Sequence, residues 1–136
     1  MKYLLDTNVI SELARQEPEP QVAAFFGAIP VEELHLSVLT LGEIRRGIER
    51  LPVGAKRKRF SRWLELELPS RFEGRLLAVD QQVADAWGRL GARGRRTLPA
   101  VDSLIAATAI AHGLQLLTRN LKDFEGTGLQ ASNPWA

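Results

Sequence analysis

The side chains of this chain that can do chemistry are carboxylates. Four of them stand where apolar runs end or helical patterns begin. They are Asp6 after "KYLL", Glu43 in "VLTLGEIRRGI", Asp102 in "LPAVDSLIAATA" and Asp123 in "LLTRNLKDF". Taken singly, each has an ordinary explanation. Asp6 and Asp102 read as helix caps or dipole partners, Glu43 as a solvent-facing helix residue and Asp123 as a turn residue. Gathered at one rim, the four would repel, and their pKa values would rise unless a cation neutralised them. There is no cysteine, and the two histidines, His35 in a short strand and His112 at a helix C-terminus, read as structural or exposed. An oxygen-only donor set favours a hard cation, Mg²⁺ or Mn²⁺. Such an ion can activate water and stabilise charge on phosphoryl oxygens, so phosphoester chemistry is the first expectation.

The basic residues narrow it. The net charge is only +2, but eight Lys/Arg and a single acid, Glu49, fall between Arg45 and Arg62, densest at Lys56, Arg57, Lys58 and Arg59. A second run carries Arg89, Arg93, Arg95 and Arg96. Runs of this kind suit a phosphate backbone; the plainer reading is a solvated helix face. Acids beside basic runs point to phosphodiester cleavage. Phosphomonoester chemistry with an aspartyl nucleophile competes, but it usually needs a second Asp two residues on, and Asn8 holds that position. The lack of cysteine removes disulfides and thiolate chemistry and suits a reducing compartment. No signal-like apolar region opens the chain, and the longest apolar stretch, Leu104–Ala111, is too short to span a bilayer, so a cytoplasmic protein is expected.

The elements that must position these residues alternate in type. "KYLL", "LHLS", "RLLAV" and "LQLLT" read as short buried strands, with a last strand in the tail "TGLQASNPWA". Between them, helical spacing covers "NVISELAR", "PQVAAFFGAI", "VLTLGEIRRGIERL", "AKRKRFSRWLELEL", "DQQVADAWGRLGARG" and "PAVDSLIAATAIAHG". Asp80 is a plausible N-cap, and the last helix has a Pro start and a Gly stop. Phe60 and Trp63 have helical spacing and read as core or dimer interface rather than as a base-stacking platform. Strands alternating with helices predict βαβ units and a parallel sheet covered on both faces. Ligands of such sheets bind beyond the carboxyl ends of the strands, which is where Asp6 falls.

Those motifs resemble the PIN-domain ribonucleases, in particular the VapC toxins and their FitB-like branch. "LLDTNVISEL" is similar to the first family motif, "LTLGEIRRGI" to the second and "LPAVDSLIAATAIAHGLQLLTRNLKDFE" to the third and fourth. The resemblance implies one PIN domain over residues 1–136, with a three-layer α/β/α fold and a central, mainly parallel sheet of four to five strands. It implies an Mg²⁺- or Mn²⁺-dependent endoribonuclease, a homodimer silenced by a VapB-like antitoxin. In it Asp6 and Asp102 would bind the metal, Glu43 would help bind it or act as general base, and Asp123 would complete the pocket as a further ligand or hold a second ion. Some PIN proteins carry an acid at the position of Asn120; here the fourth carboxylate is assigned to Asp123, with Thr118 and Asn120 as polar helpers. Asn8 and Ser103 would orient ligands from behind. Arg45, Lys56, Arg57, Lys58 and Arg59 would hold the RNA backbone. A silent PIN-like module that binds RNA or protein without cutting, and a DNA nuclease, are the alternatives.

Overall fold

In the computed structural model, which describes residues 2–93 and 98–136, five strands form one parallel sheet. They are β1 (Tyr3–Leu5), β2 (Leu34–Ser37), β3 (Leu76–Leu77), β4 (Gln115–Leu117) and β5 (Ala131–Ser132), in the order β3-β2-β1-β4-β5. The central strand β1 pairs Tyr3 with Leu34 on one side and Leu5 with Leu117 on the other. Side chains alternate across a strand, and the core divides accordingly. Leu5, Leu34, Leu36 and Leu117 face a cluster built by α1 (Thr7–Leu13), α2 (Pro20–Gly27), α3 (Val38–Glu49) and the helical segment that starts with α4 (Ala55–Arg62). Leu4 and Leu116 face the opposite cluster, with Ile105, Ala106 and Ala109 of α7 (Ala100–His112) and Leu90 of α6 (Gln81–Arg93) packed there. The three-layer α/β/α expectation holds, with five strands, all parallel.

Strand order reverses at β1: the chain runs outward through β2 and β3, then crosses to β4 on the far side. Open parallel sheets bind ligands at such a switch point, outside the carboxyl ends of the two strands that flank it. Here those ends are Leu5 and Leu117, followed by Asp6 and Thr118.

Several local expectations are met. Asp80 caps α6, its Oδ1 accepting the Val83 N–H at 3.0 Å. Gly113 ends α7 at φ 65°, the left-handed conformation glycine adopts freely. Burial holds the His35 imidazole below its usual pKa, and its Nδ1 is 3.2 Å from the Glu33 carbonyl, consistent with a structural residue. Phe60 and Trp63 pack on the first core cluster. Two expectations are corrected. The helix read over "AKRKRFSRWLELEL" widens into a π turn at Trp63–Glu67 before α5 (Leu68–Arg71) continues it. Pro69 is the reason: it has no N–H to give the Glu65 carbonyl and its ring would strike it, and the Leu68 N–H reaches back five residues to Trp63 instead. The strand read over "RLLAV" shrinks to Leu76–Leu77: Leu77 pairs with Ser37, where β2 ends and α3 begins, which leaves Ala78 and Val79 no strand partner there. Arg95 and Arg96 of the second basic run lie outside the described residues. Among the described residues no helix is long and apolar enough to cross a membrane.

Candidate active site

Asp6 is held by three donors. As the N-cap of α1 it takes the Thr7 N–H on Oδ1 at 2.8 Å. Its Oδ2 accepts the Thr118 hydroxyl at 2.8 Å and the Asn8 amide at 3.3 Å. The cap and the site are therefore one arrangement, and the carboxylate is only 7% exposed. Thr118, fully buried, also accepts the Asn120 N–H at 3.1 Å, so the loop leaving β4 is tied to the end of β1 through one hydroxyl. Asn8 adds a second tie, its Oδ1 accepting the Arg119 N–H at 3.2 Å.

Glu43 reaches this rim from α3, which Ser37 caps through the Leu39 N–H at 3.1 Å. Its Oε1 accepts a short hydrogen bond from the Thr7 hydroxyl, and Thr40, one turn earlier on the same helix face, lies 3.4 Å from that hydroxyl. Asp102 comes from the first turn of α7 on the other side of the sheet. Its pKa is raised, first by burial and then by the charges of Asp6, Asp123 and Glu43. The four acids thus share one electrostatic neighbourhood. Asp123 is placed by the short 3₁₀ turn Leu121–Phe124, its N–H donating to the Asn120 carbonyl at 3.0 Å. Among the described residues no three His, Cys, Asp or Glu side chains already stand in metal-coordinating geometry. The donor chemistry nonetheless fits a hard divalent cation: oxygen ligands only, and a repulsion at Asp102 that a cation would relieve.

The remaining predicted residues divide. Ser103 turns away from the carboxylates. Its Oγ donates to the Ala100 carbonyl at 2.7 Å and accepts the Trp87 indole N–H at 3.0 Å, joining α7 to α6. Asn120 contributes its backbone, and its side chain is exposed. Arg45 bonds Glu65 at 2.7 Å and approaches Glu49 at 3.6 Å, and Arg57 bonds Glu49 at 3.1 Å, so both are tied between α3 and the basic helix. Lys56, Lys58 and Arg59 are exposed. Sequence reasoning missed Thr7 and Thr40. The signals were present, a hydroxyl directly after Asp6 and a Thr-x-x-Glu spacing that stacks Thr40 and Glu43 on one face.

An open parallel sheet with carboxylates beside its switch point defines a broad α/β class, and comparison identifies the family within it. The PIN domain matches residues 3–128, and the chain belongs to that family. It is 39% identical to the VapC ribonuclease Y4jK of Sinorhizobium fredii, over 97% of this chain and 96% of that protein. It is 35% identical to the toxin FitB of Neisseria gonorrhoeae, over 97% of each. Among solved structures, the crystal structure of FitAcB from Neisseria gonorrhoeae superposes with a TM-score of 0.90 at 34% identity, covering 98% of each chain. The DNA-bound VapBC of Salmonella typhimurium does so with a TM-score of 0.80 at 27% identity, again over 98% of each.

Proposed function

We propose that this protein is a metal-dependent endoribonuclease, the toxin of a VapBC-type pair. The observation that carries the reading is the switch point of a PIN fold, where Asp6 follows β1 and the Thr7 hydroxyl next to it bonds Glu43 from α3; the raised pKa of Asp102, due first to burial and then to Asp6, Asp123 and Glu43, supports it. Asp6 and Asp102 would hold Mg²⁺ or Mn²⁺, with Glu43 and Asp123 beside them. When bound, the ion supplies Lewis-acid stabilisation of charge on the phosphoryl oxygens. Glu43, oriented by the Thr7 hydroxyl, takes the proton of the attacking water. Thr118 and Asn8 keep Asp6 from rotating. Relatives solved as FitAB and VapBC complexes support a VapB-like antitoxin as partner. A homodimer working in the cytoplasm completes the proposal.

The test is cleavage of labelled RNA with and without Mg²⁺, beside Asp6→Asn and with DNA as competitor. Metal-dependent RNA cleavage that Asp6→Asn reduces at least a hundredfold is expected; equal rates for the two proteins sink the site. A silent binding module has one observation on its side, the absence of a ready three-donor geometry among the described residues. It predicts no Mg²⁺- or Mn²⁺-specific thermal shift.

A further inference from the structure

We infer that Arg119 holds a phosphate of the substrate backbone beside the carboxylate rim, with its guanidinium set for that task by the ring of Trp135. The inference rests on the ribonuclease reading above. Arg119 directly follows Thr118 in the loop that leaves β4 at the rim. Three contacts fix it. Its N–H donates to Asn8 Oδ1 at 3.2 Å, its carbonyl accepts Asn133 Nδ2 at 3.4 Å, and its Cζ lies 4.9 Å from the centroid of the Trp135 ring. Asn133 in turn accepts the Trp135 N–H at 2.9 Å, which closes the tail onto the loop. The residue that positions Asp6, Asn8, therefore also positions Arg119.

What the guanidinium does not do is equally informative. Arg15, Arg45, Arg57 and Arg89 each pair with a carboxylate. Among the described residues Arg119 makes no such pair, which it shares with exposed arginines such as Arg46, Arg50 and Arg62; what sets it apart is that its loop adjoins an acidic rim. Among the described residues the guanidinium makes no hydrogen bond of its own, only the contact with the ring, so its N–H fork is available, the group that meets phosphate with two parallel bonds. The indole itself points the same way. Trp135 packs against the first core cluster, so the ring under the Arg119 guanidinium is itself held by the core, and tryptophan offers the strongest cation–π face among side chains. A rim of four acids also repels a polyanion, and a fixed cation at its edge offsets that repulsion.

The experiment measures binding of fluorescently labelled single-stranded RNA against salt, in an Asp6→Asn background so that cleavage is silent. Removing one cation that neutralises a phosphate flattens the slope of log K against log[salt] by ~0.7 for a single strand. Arg119→Gln is expected to show that flattening with an unchanged melting temperature. Arg119→Lys is expected to keep the slope but bind more weakly, because an ammonium neither stacks nor forks. In the otherwise wild-type protein, Arg119→Gln is expected to raise KM about tenfold with little change in kcat. A wild-type slope in Arg119→Gln, with RNA still bound and cleaved by the parent protein, overturns the phosphate role alone and leaves Arg119 as a strap for the tail. A parent protein that neither binds nor cleaves RNA overturns the ribonuclease reading and this inference together.

Discussion

Asp6 spends its two oxygens differently, and that division explains how a carboxylate survives where it is almost closed off from water. Oδ1 satisfies a helix N-terminus, and Oδ2 is fixed by Thr118 and Asn8. Thr118→Val keeps the shape but removes the donor. It is expected to lower metal affinity ~10–100-fold, the usual effect of losing a residue that orients a ligand, which a metal titration followed by calorimetry would measure. Asp102 makes a prediction about pH. In the unfolded chain it ionises at the ordinary carboxyl value, whereas in the fold burial and the three neighbouring acids hold the proton to higher pH. Between those two values the native state binds more protons, so stability falls as pH rises through the window and stays lower above it. Asp102→Asn should therefore raise the melting temperature of the metal-free protein by a few degrees at pH 7, and the gain should vanish below about pH 4. A melting temperature at pH 7 unchanged or lowered by Asp102→Asn would contradict the mutual repulsion. At this scale the acids were legible because a charge next to "KYLL" or inside "AVDSLIAATA" is conspicuous. Thr118 was legible beside them, but the hydroxyls of Thr7 and Thr40 were less so, since threonine serves equally in strands, caps and turns. Ser103 was misplaced for the same reason: adjacency to Asp102 does not say which way a hydroxyl on a helix turns.

The alternation of short apolar strands with helices made the order of elements readable, and the tail strand followed from it. What the periodicity did not reveal was the π turn, because apolar spacing continues through "RWLELEL" while the backbone widens to accommodate Pro69. The basic helix shows why charge counts mislead. Of the five basic residues singled out, Arg45 is tied to Glu65 beyond α4 and Arg57 to Glu49 of α3, pairings between helices that a linear count does not show. Replacing Lys56, Lys58 and Arg59 together by Ala should flatten the salt dependence of RNA binding by up to ~0.7 for each phosphate no longer neutralised. Arg45→Ala should instead cost at most ~1 kcal/mol of stability, as expected of a largely exposed ion pair, with the salt slope kept. Salt-titrated binding and thermal melts of the same two variants separate the roles. A slope unchanged in the triple variant would return this run to a solvated face.

At the scale of the whole molecule, the site exists only because the sheet does. Asp6, Glu43, Asp102 and Asp123 leave β1, the helix after β2, the helix before β4 and the loop after it, so an unfolded chain has no way to reproduce their arrangement. An ion bound by them binds the native state alone, and its binding free energy adds to folding stability. At a free concentration a hundred times its Kd the gain is ~2.7 kcal/mol. In a domain of this size that corresponds to a shift of ~5–15 °C in melting temperature. Mg²⁺ and Mn²⁺ should therefore raise the melting temperature of the wild-type protein in a concentration-dependent way, beyond what Na⁺ does at equal ionic strength. The metal-free protein has the most to gain, because its carboxylates repel one another. Asp6→Asn should abolish most of the shift, and Arg45→Ala, whose side chain is tied to Glu49 and Glu65, should leave it intact. Equal shifts in wild type and Asp6→Asn would mean that the ions act elsewhere on the surface, and the four acids would then be neighbours without being ligands.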